Sequence, residues 1–402
     1  MSPTGTDTGT IRTVAGNGES GFKGDGGLAN LACLNEPKAV TVDPHGNLII
    51  ADSENHVVRV VDRTTWVIST VAGYAGSVEP RLEVVKPAPA GMPEPEDPFS
   101  DGVPMGERAF AQQADLSGTV RYVVNVAGRP KRFGGDGGAA DRALLNFPSA
   151  AAADQAGHLY IADTMNHRIR RVEAGTRIIS TIAGVGQPRY GGDGGPAVSA
   201  GLNEPSAVAV DRAGMTLYVA DQSNNRIRAI DLSTGTIKTI AGTGSAEYNG
   251  DGIQAVEASL AGPSGLAVGV DDMLYIADTF NGRIRAIDPV SGIIRTVVGD
   301  GDAYRYQGAV EPPSSSVSRP AAIAVDSEGN LYITDSDNHL VRRWDCRLGR
   351  LDRLAGVGIA NFGGDGGTAL EASLNFPFGI TEWEGRLYVA DTFNHRIREI
   401  VL

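Results

Sequence analysis

Cysteine is almost absent from this chain: Cys33 and Cys346 are the only two in 402 residues. They fall far apart and at non-equivalent places in the repeat described below, which argues against a disulfide framework and makes a reducing, cytoplasmic setting the expectation. No apolar run approaches the length needed to cross a bilayer, because the apolar segments are short and broken by Gly and Asp, so no membrane partner is expected. The opening ten residues, Met1 to Thr10, lack a basic start followed by an apolar stretch, and no secretory signal is read there; a leader already trimmed is compatible with that. Positive charge is also short, with a formal net charge of −13. A surface of that sign repels a phosphate backbone, so nucleic acid is not an expected partner. Aromatic residues stand at only 6% and charged residues at a moderate 21%, the latter too few for a disordered acidic chain.

What is present is glycine, 53 residues, and proline, 21, which means many tight turns. The segment Asn330 to Arg342 has five relatives, each with an apolar run, an Asp, two variable residues, an Asn and an Ile/Val-Arg close. The aspartates are Asp52, Asp163, Asp221, Asp278, Asp335 and Asp391, separated by 111, 58, 57, 57 and 56 residues. Even spacing with one doubled gap signals a repeat array carrying one insertion. Each unit contains four short alternating patterns, in the third unit Ser206–Asp211, Thr216–Ala220, Arg226–Ile230 and Thr236–Ala241, joined by Asp/Gly and Asp-x-x-Asn turns. Four antiparallel strands repeated six times predict an all-β fold, a single six-bladed β-propeller spanning residues 1–402. The chain stops after the third strand of its sixth unit, while Ile11 to Gly16 carries a fourth-strand pattern, so the N-terminal strand is expected to close the last blade.

Asn55-His56, Asn166-His167, Asn338-His339 and Asn394-His395, each leading into an aliphatic-Arg step, resemble the signature of NHL repeats. Units three and four depart from it, with Asn225 and Gly282 at the histidine position. The resemblance implies a propeller whose relatives include lyases, hydrolases, protein or RNA binders and sensor domains, so fold alone does not decide the function. In such relatives a divalent ion often sits at the channel mouth, which makes calcium or zinc compatible with this chain although none is required.

A residue that recurs in every blade serves the fold. On this reasoning the histidines, the aspartates, the arginines at 59, 170, 228, 285, 342 and 398, and the five loops of the form aromatic-x-Gly-Asp-Gly are scaffold. Exceptions to the symmetry need another cause. The residue before the Pro that opens each first strand is Glu36, Phe147, Glu204, Gly262, Arg319 and Phe376; the one after it is Lys38, Ser149, Ser206, Ser264, Ala321 and Phe378. Nearby turn tips add Glu54, Met165, Ser223, Phe280, Asp337 and Phe393. Carboxylates, cations and phenylalanines around one mouth of a channel form the expected ligand site. Two loops on the same face break the pattern: an insertion over 74–118, read as a lid or as a surface insertion, and Asp300 to Ser318, which contains Tyr304, Arg305 and Tyr306, groups suited to stacking and anion contact.

The leading expectation is a small-molecule enzyme of lyase, hydrolase or cyclase type. Glu36 or Glu204 would act as general base and Arg319 or Lys38 would stabilise an anion. Phe147, Phe376, Phe378, Phe280, Phe393, Met165, Tyr304 and Tyr306 would hold the substrate. The alternative is a protein-binding module that uses the same face.

Overall fold

Short strands that alternate inward apolar and outward polar residues must pair to satisfy their backbones. In the computed structural model they do so as six separate antiparallel sheets arranged by radial repetition, a six-bladed β-propeller. The described residues are 9–75, 133–302, 304–306 and 316–402. Of the expected lid over 74–118, residues 76–118 lie outside them. Blade 1 comprises Pro37–Val42, Leu48–Asp52, Val57–Val61 and Ile68–Ala72; blade 3 comprises Pro205–Val210, Thr216–Asp221, Arg226–Asp231 and Ile237–Ala241. Blade 3 follows the expected strands to within one residue at each end. Blade 4 differs, since Ile253–Gln254 adds a fifth, two-residue strand outside Ile293–Val298.

Blade 6 is closed by the chain's first strand. Ile11–Ala15 pairs antiparallel with Arg396–Val401, Ile11 opposite Ile400 and Thr13 opposite Arg398. Arg12 reinforces the clasp through an ion pair of 2.8 Å with Glu399, which is buried and also meets Arg386 at 2.9 Å.

Neighbouring blades bury their apolar faces against each other, as Ile50, Val61, Ile68, Tyr388 and Ile397 do between blades 6 and 1. Fully burying a side chain of this size contributes about 1.5–3 kcal/mol. The Gly-Asp-Gly loops deepen these seams. They do not merely line the mouth, as their starting point on that face implied: each continues along its blade's outer strand, where the Gly26 N–H donates to the Ile68 carbonyl at 2.8 Å. The short helical turn that follows buries Ala29 completely.

A second device crosses every seam. The hydroxyl after the repeat aspartate donates to the carbonyl of the Pro that opens the next blade: Thr164 to Pro205 at 2.9 Å, Thr279 to Pro320 at 2.9 Å, Thr392 to Pro37 at 2.8 Å, with Ser53 and Ser336 doing the same. Blade 3 has Gln222 there, and Ser206 donates to Pro263 instead, at 3.1 Å. The inner strands are thereby tied into a closed ring around the channel. No helix among the described residues is long and apolar enough to cross a membrane.

Candidate functional site

The residue that faces the channel is held by its scaffold from two sides. Each repeat aspartate ends a second strand, is fully buried, and accepts through Oδ1 the backbone N–H one residue before the ring position, as in Asn35 to Asp52 at 2.7 Å. Its other oxygen takes the turn asparagine, Asn55 at 2.8 Å, and faces the buried arginine, Arg59 at 3.5 Å. Burial pushes five of these carboxyls up to about 6, against the pull of those donors, and they are ionised at neutral pH. The arginines gain a second carboxylate from the Gly-Asp-Gly loops, Arg228 with Asp193 at 2.6 Å and Arg398 with Asp365 at 2.8 Å. Both motifs are therefore consumed internally.

The second restraint arrives from the preceding blade. The histidine of the repeat sits in the left-handed region at φ 51 to 58, and its Nδ1 accepts the N–H of the next blade's ring residue. Glu36 donates to His395, Phe147 to His56, Glu204 to His167 and Phe376 to His339, each at 3.1 Å. Asn225 does the same for Gly262 through Oδ1 at 2.9 Å, which explains why Asn can replace His. Gly282 tolerates the same backbone at φ 58 but supplies no acceptor to blade 5. So held, all six ring residues adopt φ 45 to 55, a conformation that disfavours side chains with a Cβ. One frame thus presents six different residues in one conformation.

Every ring and tip side chain other than Gly262 and Ala321 is partly buried, as expected for a concave wall. Blades 6 and 1 form an aromatic shelf with one ion pair. Lys38 lies 3.3 Å from Glu36, 4.5 Å above the Phe378 ring and 5.2 Å from that of Phe393. Phe393 meets Phe376 edge-on at 5.3 Å, and Phe376 meets His339 at 4.5 Å. In blade 5 Arg319 contacts Asp337 at 3.5 Å and lies 5.3 Å from the Phe280 ring of blade 4. That ring explains Gly262, where a Cβ would stand 2.3 Å from it. Burial raises the Asp337 carboxyl, while Arg319 and then Arg305 lower it. Around the remaining arc, Glu204 accepts from Ser223 at 2.6 Å, and Phe147 rests edge-on against His56 at 4.5 Å. Met165, at the tip beside Phe147, is anchored through its N–H to the Asn146 carbonyl at 3.1 Å.

Glu36 and Glu204, either of which was expected to act as general base, have separate partners: Glu36 is engaged by Lys38 and Glu204 by Ser223. Among the described residues no three His, Cys, Asp or Glu side chains are grouped to hold a metal ion. A cavity of about 650 Å³ does open between blades 3 and 4, but Tyr218, Lys238 and Asp272 line it and no ring residue does.

Tyr306, expected to contact substrate, also packs into the scaffold. In blades 2, 3, 4 and 6 an arginine at the start of the third strand reaches across the seam and lies against a glycine: a Cβ on Gly18, Gly186, Gly244 or Gly301 would stand within 2.5 Å of it. Blade 5 carries Leu340 instead, and the Tyr306 ring fills the slot at 2.2 Å from where a Cβ on Gly358 would sit, its N–H donating to Asn338 at 2.8 Å. Blade 1 has Val57, and the position matching those glycines is Ala75. Tyr304 lies close enough to Arg342 to influence its charge, in the one blade whose loop lacks the Gly-Asp-Gly carboxylate. The histidine link escaped the sequence reading. The signal available for it was that Asn and Gly, both tolerant of left-handed backbone, are what replace the histidine.

Comparison with known proteins agrees with this architecture. The NHL repeat model matches residues 34–61, 145–172 and 318–344, and the teneurin NHL domain model matches 243–312. The chain belongs to the NHL-repeat propeller family. It is 32% identical over 276 residues to the Arabidopsis thaliana chloroplastic protein SUPPRESSOR OF QUENCHING 1, covering 66% of this chain and 26% of that protein. It is 30% identical over 286 residues to Homo sapiens NHL repeat-containing protein 2, covering 64% of this chain and 39% of that one. The matched region thus spans well under half of these relatives. Among solved structures, an auxiliary nutrient binding protein from Bacteroides ovatus superposes with a TM-score of 0.60 at 13% identity, covering 98% of this chain and 77% of that one, a likeness of fold alone.

Proposed function

We propose that the channel mouth is a small-molecule site, and that the chain acts there as an enzyme of lyase or hydrolase type. One observation carries the reading: six equivalent positions share one backbone conformation and one set of restraints, yet hold Glu, Phe, Glu, Gly, Arg and Phe. A frame built for identical residues has been given different ones. In the chemical assignment Glu36 or Glu204 removes a proton, and Lys38 or Arg319 stabilises the charge that develops. The Glu36 to Lys38 pair supplies acid and base within 3.3 Å of each other, beside phenylalanines that exclude water from a bound ligand. No metal enters this scheme.

The chain itself supplies the control. Blades 2, 3 and 4 carry Ser where Lys38 and Phe378 stand, and Ser149 and Ser264 donate to the next blade's backbone, both at 2.8 Å. A Lys38→Ser/Phe378→Ser variant therefore restores the repeat and keeps the fold. Fragment screening by saturation-transfer NMR should give ligands of the native protein that this variant no longer binds, and conversion of any such ligand should fail in Glu36→Gln or Glu204→Gln. Ligands unaffected by the double substitution would refute the site. No small-molecule ligand, together with a protein partner whose capture depends on the same residues, would replace this reading with a docking module.

A further inference from the structure

The cavity of about 650 Å³ between blades 3 and 4 arises from a double exception to the repeat. Its floor is the face of blade 3 that carries Tyr218, Ala229 and Lys238 side by side on the second, third and fourth strands. Ala229 is the residue that leaves space. At its place blade 1 has Val60, blades 2 and 5 have Arg171 and Arg343, and blade 6 has the buried Glu399. Blade 4 also has alanine there, Ala286, but blade 5 packs the large Trp344 against the cluster that contains it. Where Trp344 stands in blade 5, blade 4 offers only Ile287 to the seam with blade 3, so neither wall fills it.

Two turns beside the cavity leave polar groups for an occupant. In blades 2 and 5 the tyrosine equivalent to Tyr218 donates to the aspartate that opens the turn between the first two strands, Tyr160 to Asp154 and Tyr332 to Asp326, both at 3.0 Å. In blade 3 that turn carries one extra residue and Asp211 takes the Met215 N–H at 2.7 Å; among the described residues nothing accepts from the Tyr218 hydroxyl. Burial, with the charges of Asp211 and Asp272 nearby, raises the pKa of that hydroxyl and keeps it protonated. Blade 4 has Gly269 where blades 1, 2, 3 and 5 have the turn aspartate, and its acids come later, at Asp271 and Asp272. Asp271 accepts the Met273 N–H at 3.3 Å, whereas among the described residues no donor reaches the Asp272 carboxylate.

The charge of the seam is negative. Asp231, Asp272 and Asp288 line the cavity against Lys238, a net formal charge of −2. The flanking Asp211, Asp271 and Glu257 outnumber Arg212 and Arg295 and take it to −3, while Asp193, beside Gly194, is paired with Arg228 at 2.6 Å. Lys238 stands two strands from Tyr218, roughly 10 Å at the usual strand spacing, which leaves the Tyr218 and Asp272 end acidic. We propose that this seam is a second ligand site, independent of the channel mouth, for a small organic cation with an apolar body. The ammonium group is held by the Asp272 carboxylate and the Tyr218 hydroxyl oxygen, and the body lies over Ala229 against Leu274 and Ile287.

Benzylamine, benzyl alcohol and benzoate share a ring and differ in charge. Titrated into methyl-labelled protein and followed by NMR, the amine should shift the Ile240, Leu274 and Ile287 methyls and bind about tenfold tighter than the alcohol, the worth of one charge-assisted hydrogen bond, with benzoate weakest. Asp272→Asn, which the left-handed backbone at φ 61 tolerates, should remove the preference for amine over alcohol. Ile287→Trp copies the seam between blades 4 and 5 and should abolish binding of all three while leaving the methyl spectrum of the other blades unchanged. Equal binding of the three probes, or tightest binding of benzoate, overturns the cation. No shift at those methyls, or binding that survives Ile287→Trp, overturns the site; the reading of the mouth is untouched by either. An acetylated, amidated pentapeptide with one lysine between leucines that binds there more tightly than benzylamine would overturn the small-molecule class in favour of a protein side chain.

Discussion

His339 offers the sharpest test of how the blades are latched. Its Nδ1 accepts the Phe376 N–H at 3.1 Å, so that atom must carry no proton. Burial, aided by the positive charge of Arg305, lowers its pKa from 6.5 to about 4. A depressed folded value means that the stabilisation is complete above pH 6.5, drains as pH falls through that range, and is gone below about 4. At about 1.4 kcal/mol per pH unit this amounts to roughly 3 kcal/mol, which solvent screening of the partly exposed ring reduces to about 2 kcal/mol. The buried aspartates, raised to about 6, titrate with the opposite sign, so the pH profile of the native protein alone cannot isolate the histidine. His339→Asn does isolate it. Asparagine keeps an acceptor, as Asn225 shows at 2.9 Å, tolerates the left-handed backbone, and does not titrate in this range. Urea unfolding of both proteins at pH 7.5, 6.5, 5.5 and 4.5 should show the variant less stable at neutral pH, where it keeps the hydrogen bond but lacks the edge-on ring contact with Phe376. The gap should then shift by about 2 kcal/mol in the variant's favour by pH 4.5. A gap that does not change with pH would refute the latch.

Three further outcomes follow from the same scaffold. Arg228→Met strips Asp221 and Asp193 of a guanidinium at 3.1 and 2.6 Å and should cost about 3–5 kcal/mol in urea unfolding. A loss below about 1 kcal/mol would show that the carboxylates find other donors. Gly186→Ala places a Cβ 1.8 Å from Arg168 at φ +80 and should lower the Tm by several degrees. Adding Arg168→Val should recover much of it, since blade 1 already carries Val57 with Ala75; no recovery would disprove the pairing. Arg12→Pro removes a ladder donor opposite Glu399, together with the ion pair to it, and should open blade 6, read as faster proteolysis and an increased hydrodynamic radius, whereas unchanged values would mean that the clasp is not needed.

The blades and their closure were legible because strand alternation, turn chemistry and the period are local or periodic signals. The ring was legible for another reason: six copies of one position allow a residue to be judged against its equivalents. What pairwise geometry decides was not legible. His56 meets Phe147 across 91 residues and His339 meets Phe376 across 37, and no local pattern encodes either contact. The packing of Tyr306 was not legible either, because it follows from Leu340 standing where other blades carry an arginine. The separation of Glu36 and Glu204 was legible from blade order alone, since blade 2 lies between them, and each has its own partner, Lys38 and Ser223.

The clasp of blade 6 also sets an order of events during synthesis. Ile11–Ala15 leaves the ribosome before the other described strands of the propeller, yet its partner Arg396–Val401 is the last of them. A growing polypeptide can complete five blades while this early strand still presents an unsatisfied edge, and every ladder of those blades is local whereas this one spans the greatest sequence separation among the described ladders. Ring closure is thus the slow, late step, and the interval before it is when the nascent propeller is most exposed to strand exchange with a second copy and most dependent on chaperones.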